Sequence, residues 1–278
     1  MPGLLQHILA HPLTRGMDVD DPRTTHLRRE IIQKKAFLKQ IYCEWYARLA
    51  AAIPHDSRYL ELGSAAGFFK EFVPELITSE VFATPGVDRI VDARHLPFAD
   101  DELDGIVMTD VLHHIPDVAR FFQEATRCVR AGGQVLMIEP WNTPWSKWVY
   151  QHLHPEPFEP RGDWTIPDTG PLSGANGALP WILFARDRAR FEEEFPALRI
   201  ESIEPLMPFS YLISGGVSMR ALAPGWVYRP LRWVESQLQP QRWAMFALVK
   251  LKKLDPSAES PESMPRNAHV QSEHLAEN

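Results

Sequence analysis

The sequence predicts an α/β fold with a mostly parallel sheet covered by helices on both faces. Three observations lead there. Short apolar runs alternate with amphipathic helical segments from residue 58 to residue 140. A small-residue turn follows the first of those runs. After the fourth run an amphipathic helix, Val118 to Arg130, ends at small residues and leads into a fifth run, the alternation of a parallel sheet with covered faces.

The elements follow in order. Asp21 to Ile53 is rich in helix formers, and Leu27, Ile31, Phe37, Leu38, Ile41, Trp45 and Leu49 recur at three-to-four-residue spacing, so one long or two shorter helices are expected. Pro54 to Ser57 breaks that pattern, and Arg58 to Leu62 reads as the first strand. A helix is expected over Ala66 to Glu75, strands over Leu76 to Val81, Arg89 to Asp92 and Asp104 to Met108, and a helix over Val118 to Arg130 closed by Ala131, Gly132 and Gly133. Gln134 to Glu139 is the fifth strand.

Trp141 to Pro180 shows no sustained period and reads as a long ordered loop. A charged helix over Phe184 to Phe195, a strand over Leu198 to Pro205 and a terminal strand over Arg242 to Lys250 complete the domain, with an insertion from Phe209 to Gln239. The expected organisation is a helical extension over 1–57, the main domain over 58–254 and a disordered tail over 255–278.

Composition narrows the function. The 278 residues carry a formal net charge of −7, the wrong sign for a general nucleic-acid binder. Cys43 and Cys128 stand far apart, so neither a disulfide framework nor a zinc site is expected, and a reducing, cytoplasmic setting fits. Met1 to Asp18 has no secretory pattern, and no apolar run reaches the ~20 residues that span a bilayer.

The chemistry gathers around Glu61-Leu62-Gly63-Ser64-Ala65-Ala66-Gly67, a tight turn at the carboxyl end of the first strand that lets a ligand approach the backbone. A dinucleotide site needs Gly-x-Gly-x-x-Gly, and Ala65 occupies the middle glycine position with the wrong spacing. That disfavours a nicotinamide-dependent oxidoreductase. A ligand with a ribose diol, an adenine and an ammonium group instead needs carboxylates at strand ends. Glu80 and Asp92 stand at such places, for the ribose hydroxyls and the adenine amino group.

The ordered series Glu61 to Gly67, Asp92 to Phe98, Leu112-His113-His114-Ile115-Pro116 and Arg130 to Pro140 resembles the class I methyltransferases that use S-adenosyl-L-methionine (SAM), in particular the type-11 group. The resemblance spans about Arg58 to Pro140. It implies a Rossmann-like fold with an antiparallel last strand. It also implies Glu61, Gly63, Ser64 and Gly67 around the methionine and sugar of SAM, Glu80 on the ribose, Asp92 and Ala93 at the adenine, and Asp110 to His113 beside the methyl group. The chain departs from the pattern at Ala65 and in having only Phe82 to Asp88 between the second and third strands.

Methyl transfer from a sulfonium is an in-line displacement in which the enzyme mainly aligns the nucleophile and excludes water. If the acceptor is a hydroxyl, His113 or His114 is placed to take its proton. Trp141, Asn142, Tyr150, His152 and His154 follow the fifth strand and are candidates for the acceptor pocket; no metal is expected, since the His152-x-His154 pair lacks a third ligand. The expected acceptor is a small molecule, a lipid or a glycan precursor, with 141–180 and 209–239 as its lid. A catalytically silent SAM-binding protein is the alternative. Arg220, Arg229, Arg232, Arg242, Lys250, Lys252 and Lys253, interleaved with aromatic residues, suggest peripheral contact of 209–253 with the inner membrane face.

Overall fold

The structure is a computed structural model that describes residues 20–154, 156–170 and 173–255. Met1 to Asp18, expected to hold no secretory leader, and 256–278, expected to be disordered, lie outside them.

Seven strands form one sheet in the order β3-β2-β1-β4-β5-β7-β6. They are β1 Tyr59–Leu62, β2 Ile77–Glu80, β3 Arg89–Ile90, β4 Leu103–Thr109, β5 Val129–Pro140, β6 Leu198–Leu206 and β7 Phe246–Lys253. β1 pairs in parallel with both β2 and β4, and β4 with β5. β7 runs antiparallel between β5 and β6. The strand order reverses between β1 and β4, the switch point outside whose carboxyl ends ligands of open α/β sheets bind. All of β1 and most of β4 and β5 are buried, as expected of central strands of a sheet covered on both faces.

Two helices precede the sheet. α1, Pro22–Lys34, starts where Asp21 accepts a hydrogen bond from the amide of Arg23, with Pro22 in the first turn. Lys35 adopts an extended conformation and breaks the run before α2, Ala36–Ala50. The apolar face of α2 is buried: Trp45 packs on Phe246 and Tyr211, and Tyr46 on Phe68, Phe69 and Phe72.

That packing corrects the expected helix over Ala66 to Glu75. Two short 3₁₀ turns, Ser64–Ala66 and Phe69–Glu71, stand there instead. Phe69 of the second turn and its flanking Phe68 and Phe72 pack on Tyr46 of α2.

Past β4, the turn Leu112–His114 leads to α3, Val118–Cys128, capped by Asp117. Arg127 of α3 donates to the carbonyls of Leu96 and Phe98, and Glu124 accepts from the Leu96 amide, which pins the segment after β3.

The expected loop over Trp141 to Pro180 contains α4, Pro144–Leu153. Its start is a capping box in which Thr143 and Ser146 exchange side-chain-to-backbone hydrogen bonds, with Pro144 in the first turn. A π turn over Ile182–Arg186 runs into α5, Arg188–Glu194. The insertion carries α6, Ser210–Ser214, and α7, Tyr228–Glu235. The terminal strand begins later than Arg242, because Pro240 starts a short helical turn, Pro240–Trp243, ahead of it.

Candidate active site

A cleft of about 390 Å³ opens at the switch point, within the ~300 to 1,000 Å³ typical of small-molecule sites. Its floor is the ends of β1, β2 and β4: Leu62 and Gly63, Glu80, Thr109 and Asp110. Val91 to Arg94 form one wall, and Val111 and His114 to Pro116 the other. Thr25, Arg28 and Tyr42 from the N-terminal helices, Asp168 and Gly170 from the loop after α4, and Val217 from the insertion also line it.

Gly63 has φ +71°, and a Cβ there would meet the Val111 side chain at 2.5 Å, so glycine is required for backbone conformation and close packing alike. Gly67 is needed for another reason. Its added Cβ would meet the Tyr46 hydroxyl at 2.4 Å, and it does not line the cleft. Ser64 is likewise turned inward: its hydroxyl donates to the Glu61 carbonyl and accepts from the Ser79 amide, tying β1 to β2.

Four acidic residues line the cleft, Glu80, Asp92, Asp110 and Asp168. Glu80 is nearly buried, and its Oε1 accepts from the Val81 amide at 3.0 Å; burial raises its pKa. Asp110 has φ +63°, and its amide donates to the Ile138 carbonyl. Burial pushes its carboxyl up to about 7, against the opposing pull of His113. Asp92 is committed to Arg94, whose guanidinium engages both carboxylate oxygens at 2.9 to 3.2 Å and also reaches Asp168 at 2.7 Å. Although burial works the other way, these bonds hold Asp92 below its usual value. Glu61 lies behind the turn, fully buried and pushed up to about 7 by that burial, outside the cleft lining.

The two histidines differ. His113 is fully buried between two carboxylates, with Nδ1 2.8 Å from Glu139 and Nε2 3.5 Å from Glu156. Burial disfavours its charge, yet the two carboxylates outweigh it and hold the ring well above its usual pKa. Glu139 also accepts from the amides of Val111 and Leu112, so it organises the whole His-His turn.

His114 lines the cleft. Its Nδ1 lies 3.1 Å from the Gly174 carbonyl, which leaves Nε2 as the unprotonated nitrogen. Burial and the neighbouring His113 push it down to about 4, so it is neutral at pH 7.

Of the residues singled out in the sequence, the structure brings together Gly63, Glu80, Asp92, Ala93, Asp110 and His114. His113 packs behind His114 and is absent from the lining. The proposed acceptor residues are elsewhere. Tyr150 donates to the Met245 carbonyl, His152 is exposed and stacks on Trp148, and Trp141 and Asn142 sit at the root of α4. His154 borders a smaller cavity with Tyr211, Met219 and Met245. Among the described residues, one ligand atom each of His113, His114 and Glu156 lies within 4.8 Å of the others, a grouping unrelated to the His152-x-His154 pair.

Sequence reasoning missed Arg28, Tyr42, Arg94 and Asp168. Arg94 belongs to the Asp92 to Phe98 motif and was legible there. Nothing in the helical periodicity of α1 and α2 showed that they cross a ligand site.

The sheet order, the antiparallel β7 and a cleft carrying acids at successive strand ends define the Rossmann-like fold of the class I SAM-dependent methyltransferases. The family model described as "Methyltransferase domain" (Methyltransf_23) matches residues 33–169. A methyltransferase of Haloferax volcanii, solved with the Trm112 methyltransferase activator, shares the fold at a TM-score of 0.50 and 12% identity, over 86% of this chain and 99% of that one. Geranyl diphosphate C-methyltransferase of Streptomyces coelicolor A3(2) aligns at a TM-score of 0.46 and 11% identity, over 88% of this chain and 89% of that one. Demethylmenaquinone methyltransferase of Thermobifida fusca (strain YX) is 29% identical over 91 residues, 33% of this chain, and the match spans only 30% of that protein's length.

Proposed function

We propose that this chain transfers a methyl group from SAM to a small-molecule, lipid or glycan-precursor acceptor that enters beneath the 141–180 and 209–239 segments. The carrying observation is the placement of Glu80, Asp92 and Asp110 along one cleft, at or just beyond successive strand ends. The donor set suits the cofactor: Glu80 for the ribose hydroxyls, Asp92 with the Ala93 backbone for adenine, and Asp110 for the cationic end. Since Arg94 already holds Asp92, that carboxylate also fixes the shape of the adenine wall.

When bound, SAM supplies a methyl group already activated on its sulfonium. The residues of the chain then align the nucleophile and exclude water. His114 is the base on the acceptor side; with its conjugate acid pulled down to about 4, it accepts a hydrogen bond from a hydroxyl and takes the proton as the new bond forms. His113 and Glu139 hold it in place.

The test is transfer of labelled methyl from SAM into fractionated lipid and water-soluble cell extracts. Saturable incorporation is expected, and His114→Ala should lower turnover by ~100-fold with SAM affinity retained. A loss under about tenfold would remove the base role. SAM binding with no transfer into any fraction would favour a catalytically silent SAM-binding protein.

A further inference from the structure

We propose that the segment Gly225–Glu235 of the insertion docks on an anionic lipid bilayer. Residues at i, i+3, i+4, i+7 and i+8 of a helix share one face. A 3₁₀ turn, Gly225–Val227, leads directly into α7, and Trp226 of that turn and Arg229, Pro230, Trp233 and Val234 of α7 are all exposed. Trp226 is 78% exposed and Trp233 69%, with Leu222 just upstream at 60%. The residues turned inward are Tyr228 and Glu235. The turn and helix together therefore present Trp226 and Trp233 to the outside.

Strong ties fix that orientation. The Tyr228 hydroxyl and the Arg232 guanidinium both donate to Glu44 of α2, and Glu235 accepts from the amides of Phe209 and Ser210. Burying the tryptophans internally would require breaking all of these.

The charge on this face selects the occupant. Arg229 lies inside the stripe, and Arg220 and Arg242 are exposed on either side of it; none of the three has an ion pair among the described residues. The only acid between Met219 and Trp243 is Glu235, which is buried and held by Arg232. Although the chain is acidic overall, this face is cationic. Tryptophan settles at the boundary between lipid headgroups and acyl chains, and arginine is drawn to anionic headgroups. A two-fold pairing with a second copy would instead set each stripe's arginines against those of the other.

Val217 of the same insertion lines the SAM cleft, so docking would bring the cleft mouth near the bilayer, where a lipid-linked acceptor could reach it. That consequence rests on the proposed methyl transfer; the docking itself does not.

The experiment is co-sedimentation of the full chain with sucrose-loaded vesicles of phosphatidylcholine, with and without phosphatidylglycerol. Binding to the phosphatidylglycerol vesicles at low salt, released as salt rises, is expected. The double variant Trp226→Ser with Trp233→Ser should lower partitioning by at least about tenfold, and Arg229→Gln by about fivefold. Calorimetric SAM binding should stay at the wild-type level in each variant, so failure to dock and failure of the cofactor site are distinguishable. Three results would overturn the proposal: no vesicle binding by the wild type at low salt, wild-type binding by the double variant, or equal binding to phosphatidylcholine alone. A dimer that dissociates in the double variant, without vesicle binding, would assign the stripe to a second copy instead.

Discussion

The floor of the cleft lies wholly within residues 58–140 and is tied by contacts of shorter range than its cover, which joins residues 181 to 188 positions apart. On the floor, Ser64 ties to Ser79 and Glu139 to the turn at Val111, spans of 15 and 28 residues. In the cover, Lys35 donates to the carbonyls of Gly216 and Met219, Gln40 to that of Gly225, and Glu44 receives Tyr228 and Arg232. Local ties leave motifs that can be read; distant ties leave single polar residues on otherwise ordinary helices.

The sharpest way to break the floor is at Gly63. Gly63→Ala should cost ~3 kcal/mol of stability, from left-handed backbone strain and the Val111 clash together. Urea unfolding of the same change in a Val111→Ala background should recover the clash component and leave ~1 to 2 kcal/mol. If the double variant shows no recovery, Val111 is not what excludes a side chain there.

The cover should break at Glu44. Glu44→Ala strips Arg232 and Tyr228 of a shared, mostly buried partner and should cost ~2 kcal/mol, seen as a lower Tm. SAM affinity should move far less than in Gly63→Ala. An equal loss in both would mean the cover and the floor act as one unit.

The smallest expected effect is on pH dependence, and it comes from the two buried acids of the floor. Asp110 and Glu61, both pushed up to about 7, hold protons in the native state that the unfolded chain releases near its ordinary values of 3.8 and 4.5. Stability from this source is therefore greatest at low pH and declines as pH rises through about 4 to 7. A cationic cofactor favours ionised Asp110, so SAM binding should release protons and tighten by up to about tenfold from pH 6 to pH 8. Calorimetry in buffers of different ionisation enthalpy measures the release. Uptake of protons, or none, would take Asp110 out of the cationic end of the site.

The sheet was legible because each strand's burial is written in its own residues, and so was the core of the cleft, from Gly63 through Asp110 to His114. The helix expected at Ala66 was not borne out. Phe68, Phe69 and Phe72 have helical spacing, but Tyr46, some twenty residues upstream, takes their packing. Gly67, Ser64 and Glu61 belong to the same motif as Gly63 yet serve the turn's interior, a distinction that residue type alone does not carry. His113 and His114 looked equivalent as neighbours in sequence. Glu139 and Glu156 separate them, and only the tertiary structure brings Glu156 there. The aromatic residues after β5 were read as an acceptor pocket, but the Thr143-Pro144 cap makes them a helix that packs on β7.

The most direct test is calorimetric titration of the purified chain with SAM and with S-adenosylhomocysteine, repeated on Glu80→Ala. Saturable binding of both to the wild type is expected, with affinity lowered ~100-fold in the variant through loss of two charge-assisted hydrogen bonds to the ribose. Folded wild-type protein that binds neither, or Glu80→Ala protein that binds as tightly as wild type, would contradict the cofactor site at the carboxyl ends of β1, β2 and β4.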